Sequence, residues 1–199
     1  SSYLEGYDIS DARVSHAERI RLASGISGHF QVADVNRLKL PADTYDLVFS
    51  NHSFHHFVDL EHVMEQVNRS LSQCGYFVLE EYVGPTQFQW TEEQMSLVRT
   101  RLSLIPDRLR VSSSSGAIKQ SEGRPAVADV IAESPFESIR SSEIAPLFKR
   151  FFDVVEMKPL GGTLQQLLYN GITRAQNHCT VIVLGQGRLG AAPFAPIPT

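Results

Sequence analysis

The chain has 199 residues, a formal charge of -4, and 42% hydrophobic residues. That length suits one domain with a real core, and the mild acidity gives no general attraction for nucleic acid or anionic membrane. No apolar run reaches membrane-spanning length, no basic-then-apolar leader is present, and the two cysteines, Cys74 and Cys179, form no CxxC spacing. The reading is a soluble, reduced, cytoplasmic protein.

Up to about Gly84, apolar runs alternate with amphipathic ones, the pattern of an α/β sheet protein. A short strand around Tyr3 to Tyr7 ends on Asp8. Val14, Ala17, Ile20 and Ala23, with Leu22 beside them, space a helix over 11–24 that Ser10 or Asp11 caps. Phe30 to Ala33 is a strand ending on Asp34. Tyr45 to Ser50 is another, and its near-continuous apolar character predicts burial on both faces. A helix over 60–71 turns through Gln73-Cys74-Gly75 into the strand Tyr76 to Leu79. Thr91 opens a helix towards Leu104, which Pro106 stops. Ser112 to Gly116 is a loop, and 141–148 a short helix. Strands return at 152–157 and 180–184, with a helix over 163–175 between them. The Gly-, Pro- and Ala-rich tail over 185–199 is expected to be flexible.

In an open parallel sheet, ligands bind beyond the carboxyl ends of the strands. Here those ends carry Asp8, Asp34 and Ser50-Asn51-His52. One strand-end Asp can accept from a ribose diol and the next from the exocyclic amine of adenine, which outlines an adenosine site. For either Asp alone a cap on a helix or turn is the better reading, and the occurrence of both in register weighs against it.

These residues carry a family resemblance. Gly6-Tyr7-Asp8-Ile9-Ser10, then Val32-Ala33-Asp34-Val35 with Leu40-Pro41 and Tyr45-Asp46-Leu47-Val48, resemble the second strand, adenine motif and fourth strand of class I S-adenosylmethionine-dependent methyltransferases. Asn51 to Asp59 is similar to the segment that follows, and Arg69 to Gly75 to the lead into the fifth strand, with Gln73 and Cys74 replacing Pro-Gly. Glu81 to Pro85, Phe88 to Thr91 and Gly161-Gly162-Thr163 look like a bacterial small-molecule subgroup.

The resemblance implies an α/β, Rossmann-like, mostly parallel sheet with S-adenosylmethionine as cofactor. It places Asp8 and Ile9 on ribose and adenine, Asp34 and Val35 on the adenine edge, and Asn51 and His52 near the methionine part. It also implies a departure. The family opens with a strand and a GxGxG loop, and the strand lies between the second and fourth; no such loop precedes Asp8. Gly185-Gln186-Gly187-Arg188-Leu189-Gly190 could supply it by permutation, but the prolines that follow oppose a helix there, so the tail reading is preferred.

The expected organisation is a cofactor-binding core (1–84), an inserted lid and acceptor-binding segment (85–150), a closing β–α–β unit (151–184) and the tail. A histidine can take the acceptor's proton because it titrates near neutrality, and His52 and His56 are the expected catalytic pair. Imidazoles that only fill the entrance are an equal alternative, and Glu80, Glu81 and Tyr82 are rival bases. His52, His55, His56 and His62 also raise the question of a metal. None is expected, because adjacent His55 and His56 point different ways in regular structure. The expected function is methyl transfer to a small-molecule acceptor by O-, N- or C-methylation, with no nucleic-acid or membrane partner and a homodimer left open. The alternative is an inactive remnant serving as a binding or dimerisation module.

Overall fold

A computed structural model of the protein describes residues 2–160, 162–172 and 180–187. The first unit is β1 (Leu4–Asp8), α1 (Asp11–Ala23) and β2 (Gly28–Val32), with β1 and β2 paired in parallel from Leu4↔Gly28 to Asp8↔Val32. Ser10 caps α1 by accepting from the Arg13 amide, as the sequence suggests. The helical spacing is present but little of it is buried: Val14 is buried, while Ile20 and Leu22 are 53% and 66% exposed.

The second unit is a four-stranded sheet in the order β3 (Tyr45–Asn51), β4 (Leu71–Tyr82), β6 (Thr180–Gly187), β5 (Phe152–Leu160). The β3 and β4 strands are parallel, joined through α2 (Leu60–Ser70), and β6 runs antiparallel to both neighbours. The α/β class read from the sequence therefore holds, with two parallel and two antiparallel pairings divided between two sheets. The strand β4 begins directly at Leu71, earlier than the Gln73-Cys74-Gly75 turn suggests.

One face of α2 (Leu60, Val63, Met64, Val67) and α5 (Ser141–Phe151; Ile144, Leu147, Phe148, Phe151) close over this sheet. Phe77, Phe148 and Phe152 sit at its centre with ring centroids 4.8–5.3 Å apart. A Cβ on Gly185 would lie 2.6 Å from the Phe148 ring and 2.9 Å from Phe152 Cβ, so the glycine admits α5 to the strand. Gly185 and Gly187 are strand residues paired with Phe77 and Phe152. They hold no place between β1 and β3, and the permutation reading falls; Gly190 lies outside the described residues. The tail boundary also moves, since β6 continues to Gly187.

The segment over 85–150 divides. Its last helix, α5, belongs to the main core. The remainder carries α3 (Glu92–Leu102) and α4 (Val127–Glu133), and α3 packs on α6 (Gly162–Tyr169) through Trp90, Met95, Val98 and Leu167. Thr91 and Gln94 form a reciprocal capping box on α3, which explains why that start was legible. The expected helix end beyond Ile172 lies outside the described residues. No helix among the described residues is long and apolar enough to cross a membrane.

Candidate cofactor and acceptor site

Among the described residues no strand lies between β1 and β3; a cleft of about 520 Å³ runs there instead. One wall is Leu4 to Asp8 with Val14 and Phe30, the other Leu47 to Asn51 with Phe54 and Phe57. This corrects the expectation that β3 is buried on both faces, since Leu47 and Phe49 are 60% and 59% exposed. Their apolar side chains form a wall because, among the described residues, β3 pairs on one edge alone, with β4. A polar tie crosses the cleft. Glu5 and Tyr7, two residues apart and so on one face of β1, meet Tyr45: Tyr45 Oη donates to Glu5 Oε2 at 2.5 Å and Tyr7 Oη donates to the same oxygen at 3.0 Å. The Tyr45 hydroxyl holds the Glu5 carboxyl below its ordinary range, with burial opposing. Burial in turn pushes the Tyr7 and Tyr45 hydroxyls up. Sequence reasoning missed this triad; the i, i+2 spacing of Glu5 and Tyr7 was its signal.

Of the predicted binding residues, Asp8, Val35 and Asn51 line the cleft, and Ile9, Asp34 and His52 do not. Parallel pairing puts Asp8 and Val32 level, and the Ala33 amide donates to the Asp8 carbonyl at 3.0 Å, bringing Asp34 beside Asp8. Both carboxylates also cap turns. Asp8 Oδ1 accepts from the Ser10 amide at 2.7 Å and Oδ2 faces Arg13 at 3.8 Å. Asp34 Oδ1 accepts from the Asn36 side chain (2.9 Å) and amide (3.0 Å), which holds its carboxyl below the ordinary range. Asn36 Oδ1 in turn accepts from the Val58 and Asp59 amides at 3.0 Å, joining this turn to the loop before α2. Asp8, Val35 and Asn51 line the cleft, together with Ser53, whereas Ile9 is 74% exposed.

Beyond β3 the backbone turns sharply, with His52 at φ +46°, in the left-handed region that costs a side-chain-bearing residue of order 1 kcal/mol or more. Its amide donates to the Glu80 carbonyl at 2.9 Å, and its ring lies 3.9 Å from the Glu80 carboxylate, which also accepts from Asn51 Nδ2 at 2.9 Å. The next turn, 54–56, closes on Glu81, a carboxylate at 0% exposure. Glu81 accepts from the Phe54 and Tyr82 amides, each at 2.6 Å, and bonds His55 Nδ1. His56 stacks beside His55 with centroids 4.0 Å apart, and both rings face Glu137. Burial first, then the His55 charge, pushes the His56 imidazole down. The structure thus places His52 with Glu80 and His56 with Glu137. His62 Nε2 bonds the Leu38 carbonyl at 2.9 Å and braces α2. Glu137 had no signal in the sequence, because it lies in a turn about 80 residues away along the chain.

Comparison with known proteins agrees with this geometry. Residues 2–79 match the family model described as a methyltransferase domain. The chain resembles class I S-adenosylmethionine-dependent methyltransferases, and its fold is the Rossmann-like fold of that class. An uncharacterized methyltransferase of Bacillus subtilis, YcgJ, is 29% identical over 111 residues, covering 55% of this chain and 43% of YcgJ, so the match spans less than half of that relative. Among solved structures, an S-adenosylmethionine-dependent methyltransferase from Mesorhizobium loti matches with a TM-score of 0.53 at 17% identity, covering 93% of this chain and 80% of its own. The geranyl diphosphate C-methyltransferase of Streptomyces coelicolor, solved with Mg2+, geranyl diphosphate and S-adenosyl-L-homocysteine, matches with a TM-score of 0.59 at 11% identity, covering 92% and 63%.

Proposed function

We infer that the protein transfers a methyl group from S-adenosylmethionine to a small-molecule acceptor. The observation that carries this reading is the convergence of Asp8, Val35, Asn51 and Ser53 on one cleft, all within the residues that match the methyltransferase domain. The cleft volume, about 520 Å³, falls in the ~300–1,000 Å³ span of small-molecule sites. The donor set fits as well: with each Oδ1 occupied by its turn, Asp8 and Asp34 have a second oxygen to accept from hydroxyl or amine groups.

S-adenosylmethionine, when bound, supplies a methyl group activated on a sulfonium. The chain's own part is orientation and exclusion of water. Asp8 would hold the ribose diol and Asp34 the adenine amine, with Ile9 and Val35 flanking the ring. Asn51, fixed by Glu80, would hold the methionine end, and Leu47, Phe49 and Phe57 would keep water out. His52, supported by Glu80, or His56, whose imidazole burial pushes down, would take the acceptor's proton. The same reading has the protein act in the cytoplasm on a free small molecule, as a monomer or homodimer.

Titration calorimetry with S-adenosyl-L-homocysteine tests this. Asp8→Ala should weaken binding by about 1.5–3 kcal/mol, the loss of charge-assisted hydrogen bonds. Asp8→Asn, which keeps an acceptor for the Ser10 amide, separates ribose recognition from capping. Unchanged affinity in Asp8→Ala removes that residue from the site, and no binding by the unaltered protein favours a non-catalytic binding module.

A further inference from the structure

We propose that His55, His56 and Glu137 form a site for a divalent transition-metal ion of the zinc class, with Glu81 as the group that orients His55. The expectation of no metal rested on adjacent histidines diverging. The tight 54–56 turn instead lays the two rings 4.0 Å apart at 46°. His55 Nε2 lies 3.6 Å from Glu137 Oε1, and His56 Nδ1 lies 3.8 Å from Glu137 Oε2. All three ligand atoms fall within 4.8 Å of one another. Metal–ligand bonds of about 2.0–2.2 Å in tetrahedral geometry place ligand atoms roughly 3.4 Å apart, so closure draws the three atoms in by up to about 1 Å, within reach of side-chain rotation.

The orientation of His55 is the second observation. Fully buried Glu81 takes the Nδ1 hydrogen of His55 and leaves Nε2 aimed at Glu137. This is the carboxylate–histidine arrangement that sets the tautomer of a metal-ligating imidazole. Charge agrees too: two imidazoles and one carboxylate leave a single positive charge on a bound dication, and Glu81 balances it. The His56 and Glu137 side chains are 40% and 28% exposed, which gives an ion a route in and a fourth position open to water. The consequence is mechanical. Glu137 sits in the turn before α5, whose Ile139 amide already donates to the His55 carbonyl at 3.2 Å, so the ion would clasp that turn to the 54–56 turn. None of the three ligands lines the cleft between β1 and β3, so this site and the cofactor-binding cleft can fail separately; an ion on His56 occupies that imidazole and leaves His52 as the acceptor's base.

The test is titration of the chelator-treated full chain with Co2+, read by its visible d–d bands, followed by displacement with Zn2+. One ion per chain should bind with the spectrum of four-coordinate cobalt. Glu137→Gln and His56→Asn should each weaken binding roughly a hundred-fold or more, and Glu81→Gln roughly ten- to a hundred-fold. His16→Asn, on exposed α1, should leave it unchanged. Circular dichroism confirms folding, and Glu137→Gln, on a partly exposed turn, remains informative if the buried Glu81 variant fails to fold. No saturable binding at millimolar cobalt, or equal binding by Glu137→Gln and His56→Asn, overturns the proposal.

Discussion

The β1–α1–β2 unit and the four-stranded sheet are built from similar strand and helix sequences, yet their packing differs. Among the described residues the sheet carries a core of fourteen buried residues drawn from β4–β6, two helices and the 54–56 turn. The first unit contributes Val14 alone to the buried hydrophobic set and meets the sheet across a cleft, through the hydroxyls of Tyr7 and Tyr45 on Glu5. Fold stability therefore resides in the sheet, and the residues proposed to hold adenosine stand on the less densely packed side. That division suits a binding site, because segments that receive ligands come from the low-stability end of a structure.

Three perturbations would break or sharpen this contrast. Phe77→Ala, at the centre of the sheet, should lower unfolding free energy by about 3–5 kcal/mol, whereas Val14→Ala should cost about 1 kcal/mol. Denaturant melts giving equal losses would show the first unit to be packed as tightly as the sheet. Next, Tyr45→Phe removes the hydroxyl that joins the units and should cost about 0.5–1.5 kcal/mol. Hydrogen exchange should accelerate over 4–8 and stay unchanged over 76–82; acceleration in both would mean the tie supports the whole fold. The smallest effect is one of pH. Because the Glu5 carboxyl is held below its ordinary value of 4.5, its contribution is complete above that value and is lost as pH falls through the lowered one. Exchange over 4–8 should rise in that acid window in the native protein, with a smaller rise in Tyr45→Phe. Equal pH dependence in both would assign the acid response to other carboxylates.

Local patterns in the sequence were enough to locate most elements. Apolar spacing placed α2, with Val63, Met64 and Val67 on the buried face, and the Thr91–Gln94 box placed the start of α3. The strand ends at Asp8, Asp34 and Asn51 were legible because parallel strands joined by helices bring such ends to one edge. What the sequence could not decide was which apolar faces find partners. Leu47 and Phe49 read as buried and Ile20 and Leu22 as a helix stripe, yet all four are more than half exposed, because burial depends on what packs opposite and not on the residue's own spacing. Distance along the chain hid the rest. Glu5 meets Tyr45 across 40 residues, His55 meets Glu81 across 26, and Glu137 reaches the histidines from the far side of the inserted segment. Proximity of that kind carries no local periodicity, so only the tertiary fold could bring these groups together.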